Sequence, residues 1–386
     1  MRLGHLLAAG GAVAALALAG FGIWIVSLPD APAPPAAPPL ADGEARATIV
    51  ALKPPKRVRP LIAVIGINDA TEVTDYLMSY GILKRADVAD VIALATRPGP
   101  VRLYPALTVQ PQATVTDFDA RHPDGADYVI VPAMSRDDDP AALEWIRGQA
   151  SKGAIIIGVC AGAKVVGATG LLDGRRATTH WYFVNALRDA HPGIRLVADR
   201  RLVVDRPVAT TTGITASMPM MLTLIEAIAG RDKAAAVGRE LGVAGWDARH
   251  DSAAFRFNRP FAVTVLGNLL TFWKRERFGI GLEPGVDEVS LALVADAWSR
   301  TYRSRAVTFA GTADPIESRY GIRIIPEQVA ADWPAGRRLA IDDRPPAQAL
   351  DQTLQAITDR YGGRTTDVVA MQLEYPRHAA QPPASR

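Results

Sequence analysis

Cysteine is almost absent: the 386 residues contain one. That excludes an intrachain disulfide and any paired-cysteine metal site, and leaves Cys160 as a free thiol, an intermolecular bridge or a buried inert hydrophobe. An excess of one charge is missing too. Lysine and arginine total 43 against 40 acidic residues, a net +3 that argues against a nucleic-acid partner. No glycine-rich stretch ends in Gly-Lys-Ser or Gly-Lys-Thr, so a phosphate loop is excluded. No helix pair at the carboxyl end reads as a helix-turn-helix. His250, in "GVAGWDARH", has no metal-ligand partner at useful spacing and reads as a surface residue. Neither a cofactor nor a metal is expected.

What is present begins with an uncharged run from Leu6 to Val26, long enough to cross a hydrocarbon core. Residues 1–29 read as a transmembrane anchor, with a cleaved signal peptide as the alternative. Arg2 precedes the run and Asp30, Asp42 and Glu44 follow it, which puts the amino terminus in the cytoplasm and the bulk of the chain on the periplasmic side of the inner membrane. Residues 30–58, rich in proline and alanine, read as an extended spacer, with a basic cluster of Lys53, Lys56, Arg57 and Arg59 where it meets the folded part.

The folded part reads as α/β. Leu61–Gly66, Val91–Ala95, Tyr128–Val131 and Ala154–Val159 are short apolar runs without alternation, as expected of parallel strands buried on both faces. Helical patterns over Glu72–Arg85 and Pro140–Ala150 separate them, the second opening on Asp138, Asp139 and Pro140. The alternation predicts a flavodoxin-like, doubly wound parallel sheet over residues 59–249. Residues 255–376 read as a truncated repeat of it without a cysteine. The stretch from Thr71 can be laid over that from Asp287, with Glu72-Val73 on Glu288-Val289, Ala95-Thr96 on Ala310-Gly311 and Thr108–Gln112 on Arg323–Glu327. Phe261–Leu266, Ala306–Ala310 and Val368–Leu373 are its apolar runs, which predicts packing against the first unit, and residues 377–386 form a tail.

Cys160 directly follows a predicted strand, and Ala161-Gly162-Ala163 opens a helical run. This is the pattern of a nucleophile elbow. The helix amino terminus favours a negative sulfur, which predicts a thiol that ionises below the ordinary value of about 8.5. "GVCAG", with "GLLDGRRATTHW" from Gly170, is similar to the ThiJ/PfpI family of the class I glutamine amidotransferase-like superfamily, over about Pro60 to Gly230. The branch it most resembles contains isonitrile hydratases and the sensor domains of AraC-type regulators. The resemblance implies an acid beside the sulfur, at Asp75 with Glu72 as the alternative, and a histidine at His180. It also implies oxyanion donors at the Ala161 N–H and near Met134, where the family carries glycine, and an acid where this chain has Pro219.

These readings predict a membrane-tethered, cysteine-dependent hydrolase or hydratase for a small electrophile. Cys160 would attack, Ala161 would hold developing charge, and Asp75 and His180 would manage protons. The alternative is a non-catalytic ligand or redox sensor using the same pocket. Expected partners are a small molecule and the membrane, with self-association left open.

Overall fold

The computed structural model describes residues 19–31 and 37–376. After a helix over 19–27 (α1) and another at Glu44–Ala51 (α2), the chain forms β1 (Leu61–Gly66), β2 (Asp69–Glu72), α3 (Val73–Ala86), β3 (Asp90–Ala95), β4 (Val101–Tyr104) and β5 (Thr108–Gln110). Then come β6 (Ala113–Thr114), α4 (Val115–Arg121), β7 (Tyr128–Val131), α5 (Pro140–Ser151), β8 (Ile155–Gly158) and α6 (Gly162–Ala168). A short parallel pair, β9 (Arg176–Ala177) and β10 (Arg195–Leu196), brackets α7 (Val184–Ala190). β11 (Leu202–Asp205), β12 (Val208–Thr211), α8 (Ser217–Ala229) and α9 (Arg231–Leu241) complete this unit.

Seven strands make the central sheet, in the order β11-β12-β8-β7-β1-β3-β6, parallel except for β11. Every residue of β1 is buried because its two faces serve two cores. Ile62 and Val64 enter one apolar cluster, Ala63 and Ile65 the other, so no polar alternation marks the strand. Side-chain caps start the helices where expected: Glu72 accepts the Asp75 N–H at α3, and Asp139 accepts the Ala142 N–H at α5, just before Pro140. The doubly wound α/β architecture is therefore present.

The second unit runs α10 (Arg259–Leu270), β13 (Glu276–Gly281), α11 (Glu288–Ser299), β14 (Ser304–Ala310), β15 (Ile316–Glu317), β16 (Arg323–Ile324), β17 (Gln328–Val329), β18 (Arg338–Leu339), α12 (Pro346–Tyr361) and α13 (Gly363–Leu373). The succession β13, α11, β14 and hairpin matches β1, α3, β3 and hairpin. The two hairpins join directly, with Val109 opposite Ile324 and Gln110 opposite Arg323, in a sheet ordered β15-β16-β5-β4-β2. Helices α3 and α11 pack together. They approach closely at Gly81, where a Cβ would lie 2.6 Å from Glu288 Oε1 and 2.7 Å from Val289 Cγ2. Their ends exchange charges reciprocally: Glu72, capping α3, pairs with Arg300 at the end of α11, and Asp287, capping α11, pairs with Arg85 in the last turn of α3. The capping residue of α11 is thus Asp287, one position before the residue that sequence alignment sets opposite Glu72. Only Ala306–Ala310 of the three apolar runs is a strand. Phe261–Leu266 and Val368–Leu373 lie in α10 and α13, where burial of Thr365, Val368, Val369 and Leu373 follows helical spacing.

The membrane anchor is corrected. Residues 1–18 of it, 32–36 of the spacer and the tail at 377–386 lie outside the described residues, and among those described no helix is long and apolar enough to cross a membrane. The described end of the apolar run is tied to the folded body instead: Trp24 packs on Phe257 with ring centroids 6.1 Å apart, and the Arg259 N–H donates to the Pro29 carbonyl at 2.8 Å. The periplasmic placement and the membrane partner, which rested on a spanning helix, fall with it. Nor is 30–58 extended throughout, since α2 is held by the Glu44–Arg200 ion pair and Leu52 is fully buried.

Candidate active site

Cys160 occupies the turn between β8 and α6 with φ at 56°, a left-handed conformation that costs a residue with a Cβ roughly 1 kcal/mol or more. The surroundings hold it there. Its N–H donates to Thr211 Oγ1 at 3.0 Å and its carbonyl accepts from Thr179 Oγ1 at 3.0 Å. Gly162 lets the turn press onto β7, because a Cβ there would stand 1.9 Å from the Val131 carbonyl oxygen. The thiol is buried at the foot of a cavity of about 520 Å³.

Asp75, in the first turn of α3, is completely buried. Its Oδ2 accepts the Ala133 N–H at 3.0 Å, while Oδ1 has no hydrogen-bond partner. Burial, reinforced by the Glu72 carboxylate, holds the acid well above its ordinary range, against the pull of the Ala133 N–H and Arg300. Asp75 is therefore biased towards its protonated form, with one oxygen unpartnered. The folded state keeps a proton that the unfolded chain loses near pH 4, so this group's contribution falls as pH rises above about 4. Asp75→Asn, which cannot ionise, should be more stable than the wild type by roughly 1 kcal/mol or more at about pH 8. In urea denaturation the advantage should shrink towards pH 4, and an advantage independent of pH would remove ionisation as its cause.

The thiol does not have the lowered pKa expected of an elbow cysteine. Burial pushes it well above the ordinary value, helped by the nearby Asp75, Glu72 and Glu374 carboxyls, and only the Ala161 N–H, directed at the sulfur, opposes them. No hydrogen bond joins Asp75 to Cys160, so at alkaline pH the pair meets as like charges. Iodoacetamide should accordingly label Cys160 slowly at neutral pH, and Asp75→Asn should move the labelling profile to lower pH. A profile moved upward would mean that Asp75 stabilises the thiolate.

His180 also lines the cavity, with both ring nitrogens engaged. Nε2 lies 2.9 Å from the Gln372 carbonyl and Nδ1 accepts the Tyr182 N–H at 3.2 Å, and burial holds the ring below its ordinary pKa. It is a neutral histidine bracing the loop before Trp181, with no nitrogen free for Cys160. Ala133 spends its N–H on Asp75 and its carbonyl on the Glu72 N–H, while the Met134 side chain lines the cavity. Ala161 is the helix N-cap beside the sulfur. Glu72, the alternative acid, caps α3, takes the Thr74 hydroxyl at 2.7 Å and pairs with Arg300.

The second unit brings residues that sequence reasoning missed. Arg300, Tyr302 and Gln372 line the cavity. Glu374, after α13, enters the turn beyond β12, where its carboxylate accepts the N–H groups of Trp181 at 2.7 Å and Gly213 at 2.8 Å. An acid thus reaches that turn from far along the chain. His250 is corrected from surface to buried: it stacks on Phe255 at 5.3 Å and lies 3.5 Å from Glu374. Among the described residues no cluster of His, Cys, Asp or Glu could hold a metal ion.

A buried cysteine on a strand-to-helix elbow, a buried acid beside it and a cavity above define a thiol-centred α/β protein. The profile of the DJ-1/PfpI family matches residues 62–227. The HTH-type transcriptional regulator GlxA of Rhizobium meliloti is 30% identical over 278 residues, 69% of this chain and 82% of the regulator. The chain belongs to the DJ-1/PfpI family. An isonitrile hydratase of Pseudomonas putida is 35% identical over 147 residues, 37% of this chain and 60% of the hydratase. The HTH-type transcriptional regulator CdhR of Pseudomonas aeruginosa is 36% identical over 101 residues, 26% of this chain and 30% of the regulator. This chain therefore spans less than two thirds of the length of either of these last two. With HTH-type regulators among its relatives, the exclusion of nucleic acid drawn from charge balance is corrected: a near-neutral total says nothing about where charge is placed.

Proposed function

We propose that this protein is a cysteine-dependent hydratase for a small molecule with an electrophilic or protonatable unsaturated carbon, such as that of an isonitrile. The observation that carries the reading is Asp75, a fully buried acid with one oxygen unpartnered beside Cys160. Glu288 and Asp296 also keep one buried oxygen without a partner, at a cost of about 1–3 kcal/mol each, so what distinguishes Asp75 is that its unpartnered oxygen belongs to an acid beside the thiol. Two neutral groups suit a sequence in which acid acts first. Asp75 protonates the terminal carbon of R–N≡C, the sulfur adds to that carbon, and the thiol proton returns to Asp75, giving R–N=CH–S–Cys160. Water then adds to the carbon and the C–S bond breaks, one proton of water passing to nitrogen and the other to sulfur. The products are the formamide and the free thiol.

Benzyl isonitrile incubated with the purified chain should yield N-benzylformamide, followed by mass spectrometry. Cys160→Ala and Asp75→Asn should each lower the rate by about 100-fold or more. Wild-type turnover no faster than Cys160→Ala would overturn the proposal. A second reading, a ligand-sensing module related to the regulators, draws support from Met134, which lines the cavity where the family resemblance implies a glycine, and from the likeness to GlxA. It predicts saturable binding without turnover.

A further inference from the structure

The cavity over Cys160 has two walls of different origin. Cys160, Ala161 and Met134 belong to the family-matched region, whereas Phe257, Phe261, Val265, Arg300 and Tyr302 lie outside residues 62–227. The second wall is set by edge-to-face aromatic contacts: Phe261 meets Trp181 at 5.7 Å and Phe257 at 5.6 Å. The charges of the lining are closed on one another. Lys164 Nζ lies 2.6 Å from Asp137, and Arg300 lies 2.7 Å from Glu72 as well as 2.7 Å from Asp296 behind it. A charged ligand would lose its hydration here without finding a free counter-charge. A cation would also face Lys164 and Arg300, and an anion Glu72 and Asp137. An apolar ring, by contrast, gains burial against Phe257, Phe261 and Val265, and about 520 Å³ accepts a ring with a short polar arm.

We infer that the wall built by α10 and the second unit selects a neutral ligand carrying an apolar ring, its polar arm directed at Cys160 and the Ala161 N–H. The inference rests on the reading of this cavity as the substrate site, and it names the class of substrate. Binding to Cys160→Ala tests it without turnover, by titration calorimetry with formanilide, 4-formamidobenzoate and 4-formamido-N,N,N-trimethylanilinium. Formanilide should bind at least about tenfold tighter than either charged analogue. Val265→Trp, at a half-buried position on α10, should weaken formanilide by about tenfold or more while leaving the melting temperature unchanged. A charged analogue bound as tightly as formanilide, no binding of any of the three, or binding indifferent to Val265→Trp would overturn the inference. Formanilide bound as expected by a chain that turns over no isonitrile would remove the hydratase reading and leave the ligand class standing.

Discussion

Gly162→Ala should destabilise the protein by roughly 3 kcal/mol or more and remove Cys160 from its working position. The added Cβ would stand 1.9 Å from the Val131 carbonyl oxygen and 2.9 Å from the Pro132 carbonyl carbon and oxygen, all backbone atoms that cannot swing aside. Val131 ends β7 and its carbonyl accepts the Val159 N–H, so relief requires parting β7 from the segment that leads to the cysteine. The elbow would open, and the contacts of Cys160 with Thr211 and Thr179 would open with it. Gly148→Ala is the control: it lies in α5 with nothing within 4 Å of its added Cβ, and should stabilise by up to about 1 kcal/mol. Thermal melts read both effects. A Gly162→Ala protein that melts with the wild type would mean that the elbow is far softer than this packing implies.

What could be read from the sequence follows from what is local. β1 and β7 were readable to the residue because strands buried on both faces are continuous apolar runs between turn residues, and α3 and α5 because Glu72 and Asp139 cap them in their own sequence. The elbow was readable because its small residues serve a backbone constraint a few positions wide. The environment of the cysteine was not. Arg300 and Glu374 reach the site through the packing of α11 and α13, and no pattern near Cys160 announces a carboxylate or a guanidinium from so far along the chain. That is why the thiol was expected to ionise readily: the helix end and an acid at Asp75 or Glu72 were visible, whereas the Glu374 carboxyl and complete burial were not. The same blindness made His250 a surface residue, its stacking on Phe255 being a tertiary contact, and left Val368–Leu373 an apolar run of no assigned conformation, since the helices that α13 packs against lie elsewhere in the sequence. The long apolar start illustrates the converse. Length and lack of charge describe a spanning helix, but they are also compatible with a segment whose end docks through Trp24 and Pro29.

Arg300→Met should cost about 3–5 kcal/mol at about pH 8, the usual penalty for removing one partner from a buried ion cluster. The guanidinium donates from Nε to Asp296 and from Nη2 to Glu72, each at 2.7 Å, and both acids are buried. Methionine would supply comparable apolar volume and no charge, leaving two carboxyl groups to face each other. Burial already pushes Asp296 up to about 7, with Arg300 the largest influence opposing it. Without that influence, Asp296 would hold its proton to still higher pH in the folded state. A folded-state pKa above the unfolded one means stability lost as pH rises from about 4 through the folded value, so part of the deficit should be recovered at about pH 5. Urea denaturation at the two pH values measures it, and adding Asp296→Asn to Arg300→Met should restore part of the loss at the higher pH. An equal deficit at both, unmoved by Asp296→Asn, would assign the effect to packing. Arg300 also stands near the acid beside the cysteine: burial and the Glu72 carboxylate raise Asp75, and Arg300 is one of the groups that oppose them. Arg300 belongs to the second unit and touches neither Cys160 nor Asp75 by any hydrogen bond, yet its charge acts on Asp75 directly and it holds Glu72 where that residue caps α3, so its loss should bear on the acid beside the sulfur as well as on the fold.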